Sequence, residues 1–191
     1  MSDMKTNSRL LRTKCSVLCV SLAIAGMSWF GSTVRAQQTP PAPRLEFAFE
    51  VRAEVADPTV VGQMPNGTRR IVNILGGTFD GPKVKGKVLP GGADWQYVRA
   101  DGVTELEARY SMRTRDGVQI AIINRGLRRA SPEIMERLSR GEPVDSAQVY
   151  FRTAPTFEAP AGPYEWLNRS LFVATAARLP AKVQITVFEI M

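Results

Sequence analysis

Asp94, Trp95 and Gln96 put a carboxylate, an indole and an amide on consecutive residues directly after Gly91-Gly92-Ala93. A carboxylate beside an indole suits proton transfer, because apolar walls favour the neutral acid and raise its pKa toward the working range. The same residues also serve structure alone, since aspartates bond turn amides and tryptophans fill core volume. The two glycines predict a sharp bend that presents these side chains. Tyr150 and Arg152 lie two residues apart and point the same way along a strand, as do Trp166 and Asn168 along another. If both pairs face one lumen, they supply a phenol, a cation, an aromatic wall and an amide. Glu158, just after the Tyr150 strand, is a reserve acid or base.

The residue types that are missing restrict the chemistry further. The chain has no histidine, and its two cysteines, Cys15 and Cys19, lie near the N-terminus. There Lys5, Arg9, Arg12 and Lys14 precede an uncharged stretch from Cys15 to Thr33, and Val34-Arg35-Ala36 places small or short side chains where signal peptidase reads them. We expect a signal peptide over residues 1–36, cleavage after Ala36, a periplasmic or secreted product and no membrane anchor after cleavage. Neither cysteine has a leucine three residues before it, which argues against lipidation. The product then lacks both His and Cys, which excludes a Ser-His-Asp triad, a cysteine nucleophile, an ordinary zinc site and a histidine-ligated haem. No cofactor or metal is expected. Five of the 25 Lys and Arg and one of the 18 acids lie within residues 1–36, so the whole-chain charge of +7 falls to +3. The basic pairs Arg69-Arg70 and Arg128-Arg129 are separated by scattered acids, a dispersion that argues against a nucleic-acid partner.

The remaining residues must build a frame without disulfides. Residues 37–44 are polar and proline-rich, a flexible tether. From Leu45, apolar residues alternate with polar ones through Val55, a period only a strand uses. Arg70 to Leu75 reads as a second strand. Gly76-Gly77, Gly81-Pro82, Gly86 and Pro90-Gly91-Gly92 then leave room only for short strands and bends. Val103 to Thr114, between Asp101-Gly102 and Asp116-Gly117, is a hairpin arm with Leu106, Ala108, Tyr110 and Met112 on one face and Glu105, Glu107, Arg109, Ser111 and Arg113 on the other. Its return is Val118 to Asn124. Periodicity alone does not decide which face is inside. The one predicted helix is Pro132 to Arg140, capped by Ser131 and ended by Gly141. Strands over Val149–Thr153, Trp166–Ala176 and Val183–Ile190 complete a single, mostly β domain over residues 45–191.

Gly76-Gly77-Thr78-Phe79, Gly81-Pro82 and the run Gly86 to Gln96 resemble the family called domain of unknown function 3237, or uncharacterised protein family 0311. Arg99-Ala100-Asp101-Gly102, Arg109-Tyr110, Thr114 to Gly117, Asn124-Arg125-Gly126, Tyr150 to Thr153 and Tyr164 to Asn168 agree in order. The resemblance implies an antiparallel β-barrel related to the allene oxide cyclase and dirigent barrels, which work on small organic molecules, often without a cofactor. Combined with the residue chemistry, it makes Asp94 or Tyr150 the expected proton-transfer group and Arg152 the stabiliser of negative charge. Trp95, Glu158, Trp166 and Asn168 are then the expected ligand-binding residues. Three functions stay open: a cofactor-free cyclase, isomerase or lyase acting on a small oxygenated or aromatic compound, a non-catalytic periplasmic binding module, and a structural protein. The expected partner is a small organic molecule, with a homodimer left open.

Overall fold

Alternation becomes structure at the first strand. In β1 (Leu45–Val55), Phe49, Val51, Ala53 and Val55 are buried while Arg52 and Glu54 between them are exposed, because a pleated strand sends successive side chains to opposite faces. The structure, a computed structural model, describes residues 40–191. The expected signal peptide and residues 37–39 of the tether lie outside the described residues. Residues 40–44 are exposed and lack regular structure. At their end Arg44 exchanges two backbone hydrogen bonds with Met191, at 3.2 and 2.8 Å.

After β1 come β2 (Thr59–Met64), β3 (Gly67–Asp80), β4 (Lys85–Val88), β5 (Gly92–Val98), β6 (Thr104–Thr114) and β7 (Gln119–Arg129). Helix α1 (Pro132–Ser139) precedes β8 (Tyr150–Glu158), β9 (Phe172–Leu179) and β10 (Lys182–Ile190). Every pairing is antiparallel. β1 bonds to β10, the wall continues through β9, β8, β7 and β6, and β6 pairs with both β4 and β5. Those two pair with β3, which returns to β1. Since β4 and β5 share one position, the result is a closed eight-stranded antiparallel barrel with β2 folded back on β3. Closure pairs the wall all the way round, so the sheet needs no second layer.

Several of the expected boundaries change. Gly76-Gly77 lies inside β3 rather than at a bend. Leu75 is an extra residue there: Val55 faces Ile74, while Glu54 faces Gly76, so the buried side passes from Val72 and Ile74 to Phe79. Gly77 has φ +133°, and a Cβ on it would stand 2.1 Å from the Arg52 carbonyl oxygen. Trp166 does not open a strand. Glu165–Asn168 is a short 3₁₀ turn, closed by Leu167 N–H to Tyr164 O and Arg169 N–H to Trp166 O, and β9 starts only at Phe172. β8 runs past Pro155, since only Arg152 and Thr153 of β8 pair with β9 and proline is tolerated where its missing N–H is not needed.

The two ends of the barrel differ. One is packed shut by Phe49, Phe79, Phe157 and Phe172, whose successive ring centroids lie 5.0–6.1 Å apart. Met112, Ile120 and Leu167 are almost fully buried beside them. At the other end, α1 crosses the mouth. Ser131 Oγ accepts from Ile134 N–H, Pro132 sits in the first turn and Gly141 follows with φ +75°, as expected. None of the helix residues is buried.

Candidate functional site

Strand parity selects which polar groups enter the lumen. Asp94 and Gln96 on β5 point inward, as do Tyr110 on β6, Asn124 and Arg128 on β7, and Thr153 on β8. Arg178 on β9 joins them from above. With Val72, Ile74, Phe151, Val183 and Ile185 they enclose a cavity of about 50 Å³. Toward α1 it meets a wider mouth of about 430 Å³, and the two share Val72, Gln96, Arg128 and Arg178 in their walls. Arg70 of β3 completes this neck.

A hydrogen-bonded chain crosses the site. Arg70 Nε donates to Gln96 Oε1 at 2.8 Å, and Gln96 Nε2 donates to Asp94 Oδ2 at 2.5 Å. The chain leaves much unsatisfied: Asp94 Oδ1, Asn124 Oδ1, Arg128 Nε and Thr153 Oγ1 are buried without a partner. An unmade buried hydrogen bond costs about 1–3 kcal/mol, so four around one small cavity mark it as a place that receives polar groups. Burial pushes the Asp94 carboxyl above the usual carboxylate range, against the opposing pull of the Gln96 amide, Arg128 and Arg70. Burial likewise raises the Tyr110 phenol, and the nearby Asp94 adds to the effect. Arg128 moves the other way, to about 10, through burial and then through repulsion from Arg70. An acid that is easily protonated therefore sits beside a phenol and guanidinium groups, a combination that can take up, hold and return a proton.

The residues expected to converge do not share this cavity, apart from Asp94. Trp95 points out from β5 and is 41% exposed, with the Arg69 guanidinium 5.4 Å from its ring centroid. Tyr150, 42% exposed, and Arg152 and Glu158 occupy the outward parity of β8, because Phe151, Thr153 and Phe157 take the inward one. Arg152 Nη1 bonds the neighbouring Phe151 carbonyl. Trp166 packs on Phe172 at the closed end, 5.8 Å between centroids, and Asn168 bonds both backbone groups of Ala159, at 2.8 and 2.7 Å. These two sit in a turn, so strand parity never applied to them. The hairpin arm is resolved as well: Leu106, Ala108, Tyr110 and Met112 face in and the charged set faces out.

Sequence reasoning passed over Arg70, Tyr110, Asn124, Arg128, Thr153 and Arg178. A signal was available for the arginines. Arg70 shares parity with Val72 and Ile74, Arg128 with Ile120 and Ile122, and Arg178 with Phe172, Ala174 and Ala176. A cation in phase with a strand's apolar side is the unusual event. The largest depression, about 820 Å³, lies instead on the outer wall among Trp95, Tyr97, Glu107 and Arg125. It is open, Glu107 already bridges Arg109 and Arg125 at 2.8 Å each and Arg69 lies over the Trp95 and Tyr97 rings, so the smaller enclosed cavity is the better candidate. Among the described residues, no group of three or more His, Cys, Asp or Glu side chains is placed to hold a metal.

Known proteins agree with this frame. A UPF0311 protein of Rhodopseudomonas palustris is 40% identical over 151 residues, which are 79% of this chain and 99% of that protein. The crystal structure of a conserved protein of unknown function from the same species superposes with a TM-score of 0.77 at 41% identity, covering 79% of this chain and 99% of that one. A beta-barrel like protein from Acinetobacter baumannii gives 0.71 at 34% identity, covering 81% and 100%. More distantly, a hydroalkoxylation enzyme of Penicillium herquei is 26% identical over 149 residues, 78% of this chain and 80% of that enzyme. The profile of the family described as protein of unknown function DUF3237 matches residues 43–190. With its strands, glycines and closed barrel accounted for, the chain belongs to the DUF3237 family.

Proposed function

We propose that this protein is an exported barrel that takes a small oxygenated or aromatic compound into its interior and moves a proton on it without a cofactor, as a cyclase, isomerase or lyase does. The observation that carries the reading is Asp94, a carboxyl inside the barrel with one oxygen unpartnered at a cavity and an affinity for protons raised by burial. Its distant relative is named for hydroalkoxylation, a reaction class that fits the same equipment. An O–H adds across a C=C bond: the new O–C bond forms, the π bond breaks, and the hydroxyl proton ends on the other carbon. Nothing is oxidised and no atom is lost. A carboxyl that accepts the proton from oxygen and returns it to carbon is sufficient for this, with Tyr110 as the neighbouring phenol. Export rests on the basic and apolar segments before Ala36.

The test uses hydroxylated aromatic alkenes incubated with the full chain, watching for products of unchanged mass and altered retention. Replacing Asp94 by Asn keeps the shape and an acceptor for Gln96 while removing the ionisable group, and should lower turnover about 10²- to 10⁴-fold. Turnover at the parent rate would reject Asp94 as the proton carrier. The second reading, a non-catalytic periplasmic binding module, is favoured by the unpaired arginines of the neck. Binding without turnover in both proteins would select it.

A further inference from the structure

The neck of the cavity holds more positive charge than the fold can answer. Arg70 and Arg178 are half-buried there and Arg128 is 8% exposed. Among the described residues, no ion pair within 4.0 Å involves any of the three. Arg70 has the neutral Gln96 amide as its partner. Arg128 lies over the Phe151 ring at 5.6 Å, with Nε buried and unpartnered. The acids nearby do not close the balance. Asp94 sits below and is itself pushed toward its neutral form, Asp57 lies at the rim near Arg178, and Glu136 on α1 is engaged by Arg140 at 2.8 Å.

Charged groups are rarely buried unless paired, since removing an ion from water is costly. Three guanidiniums converging on one neck also repel one another: burial first, and then repulsion from Arg70, lowers the proton affinity of Arg128. An arrangement of this kind is relieved by a bound anion. Guanidinium forks match a planar carboxylate, which accepts two parallel N–H bonds. The walls directly below are apolar, formed by Val72, Ile74, Phe151, Val183 and Ile185, and would leave a fully hydrated inorganic anion poorly served.

Building on the small-molecule reading of this cavity, we infer that its ligands are organic carboxylates, with the carboxylate held among Arg70, Arg128 and Arg178 and the uncharged remainder against the apolar wall beside Asp94. The anion would neutralise the neck, and Asp94 would face the ligand's uncharged part. The arginines thus set which compounds enter, and Asp94 acts on them once inside.

Benzoate and its neutral counterpart benzamide, with inorganic phosphate as a third arm, test this on the full chain by chemical-shift titration and thermal melting. Benzoate should raise Tm and perturb residues around Asp94 and Arg128, and benzamide should need about ten- to a hundredfold higher concentration. Arg70→Gln and Arg178→Gln, at half-buried positions that the fold tolerates more easily than Arg128, should each weaken benzoate by a similar factor and leave benzamide unchanged. If benzamide binds the same interior residues as tightly as benzoate, or both variants keep the parent affinity for benzoate, the carboxylate class is wrong while the small-molecule barrel stands. Phosphate displacing benzoate at equal concentration would likewise overturn the organic part of the inference. If neither aromatic probe perturbs any interior residue, both the inference and the reading beneath it fail.

Discussion

A carboxyl held in an apolar lumen records its surroundings in how tightly it keeps its proton. Because Asp94 is raised above the ordinary carboxylate value, the folded protein binds more protons than the unfolded one between the two values, and stability must fall as pH rises through that window. Below the unfolded carboxylate value the contribution is fully present. We predict that denaturant midpoints of the parent decline from about pH 4 upward and that Asp94→Asn removes this part of the slope, leaving the variant at least as stable as the parent at neutral pH. Parallel stability curves would mean that Asp94 is solvated in the folded state. Asp94 was legible in the sequence as chemistry but not as geometry. Gly91-Gly92 suggested a turn, whereas Asp94 lies mid-strand opposite Val72 and Ala108. Its neighbours Trp95 and Gln96 therefore separate to opposite sides of the wall. Tyr150 and Arg152 lie on the outer side of the wall, because Phe151 and Phe157 take the inward parity of their strand.

Elements carry the next share of the specification. The first strand, the 103–114 arm and the capped helix follow directly from alternation and capping residues, since those patterns are local. The long β3 and the extension of β8 past Pro155 do not, since each depends on a neighbour brought in from far along the chain. Gly126 shows the dependence most sharply. It lies between Asn124 and Arg128 on β7, and a Cβ there would stand 2.3 Å from the Arg152 carbonyl oxygen and 2.4 Å from Thr153 Cγ2. Both atoms belong to β8, which pairs with β7 at this point. Gly126→Ala must push the two strands apart, so we predict a loss of about 1–3 kcal/mol in urea unfolding, in the range of overpacked sites, together with weakened ligand binding because Asn124, Arg128 and Thr153 shift. A variant as stable as the parent would show that the wall yields here without cost.

At the scale of the molecule, the barrel has one end filled by aromatic rings and one end that meets solvent through charged groups, so packing and chemistry are spatially divided. That division makes the fate of the N-terminus testable apart from the barrel, because the described wall begins at Leu45. Lys5, Arg9, Arg12 and Lys14, the uncharged stretch from Cys15 to Thr33, and Val34-Arg35-Ala36 occur in the order that export and cleavage require. We predict that protein recovered from the periplasm or medium of an expressing bacterium begins at Gln37, has lost both cysteines and carries a net charge of +3 in place of +7. Intact mass decides this, and thiol labelling gives an independent reading, since the processed chain should take up no label. A processed product should also keep the barrel's unfolding transition unchanged, because among the described residues the wall is closed by the pairing of β1 with β3 and β10. Recovery of the full-length, thiol-reactive chain in the soluble periplasmic fraction would overturn cleavage. Its retention in the cytoplasm would overturn export, and would place the interior site among intracellular compounds instead.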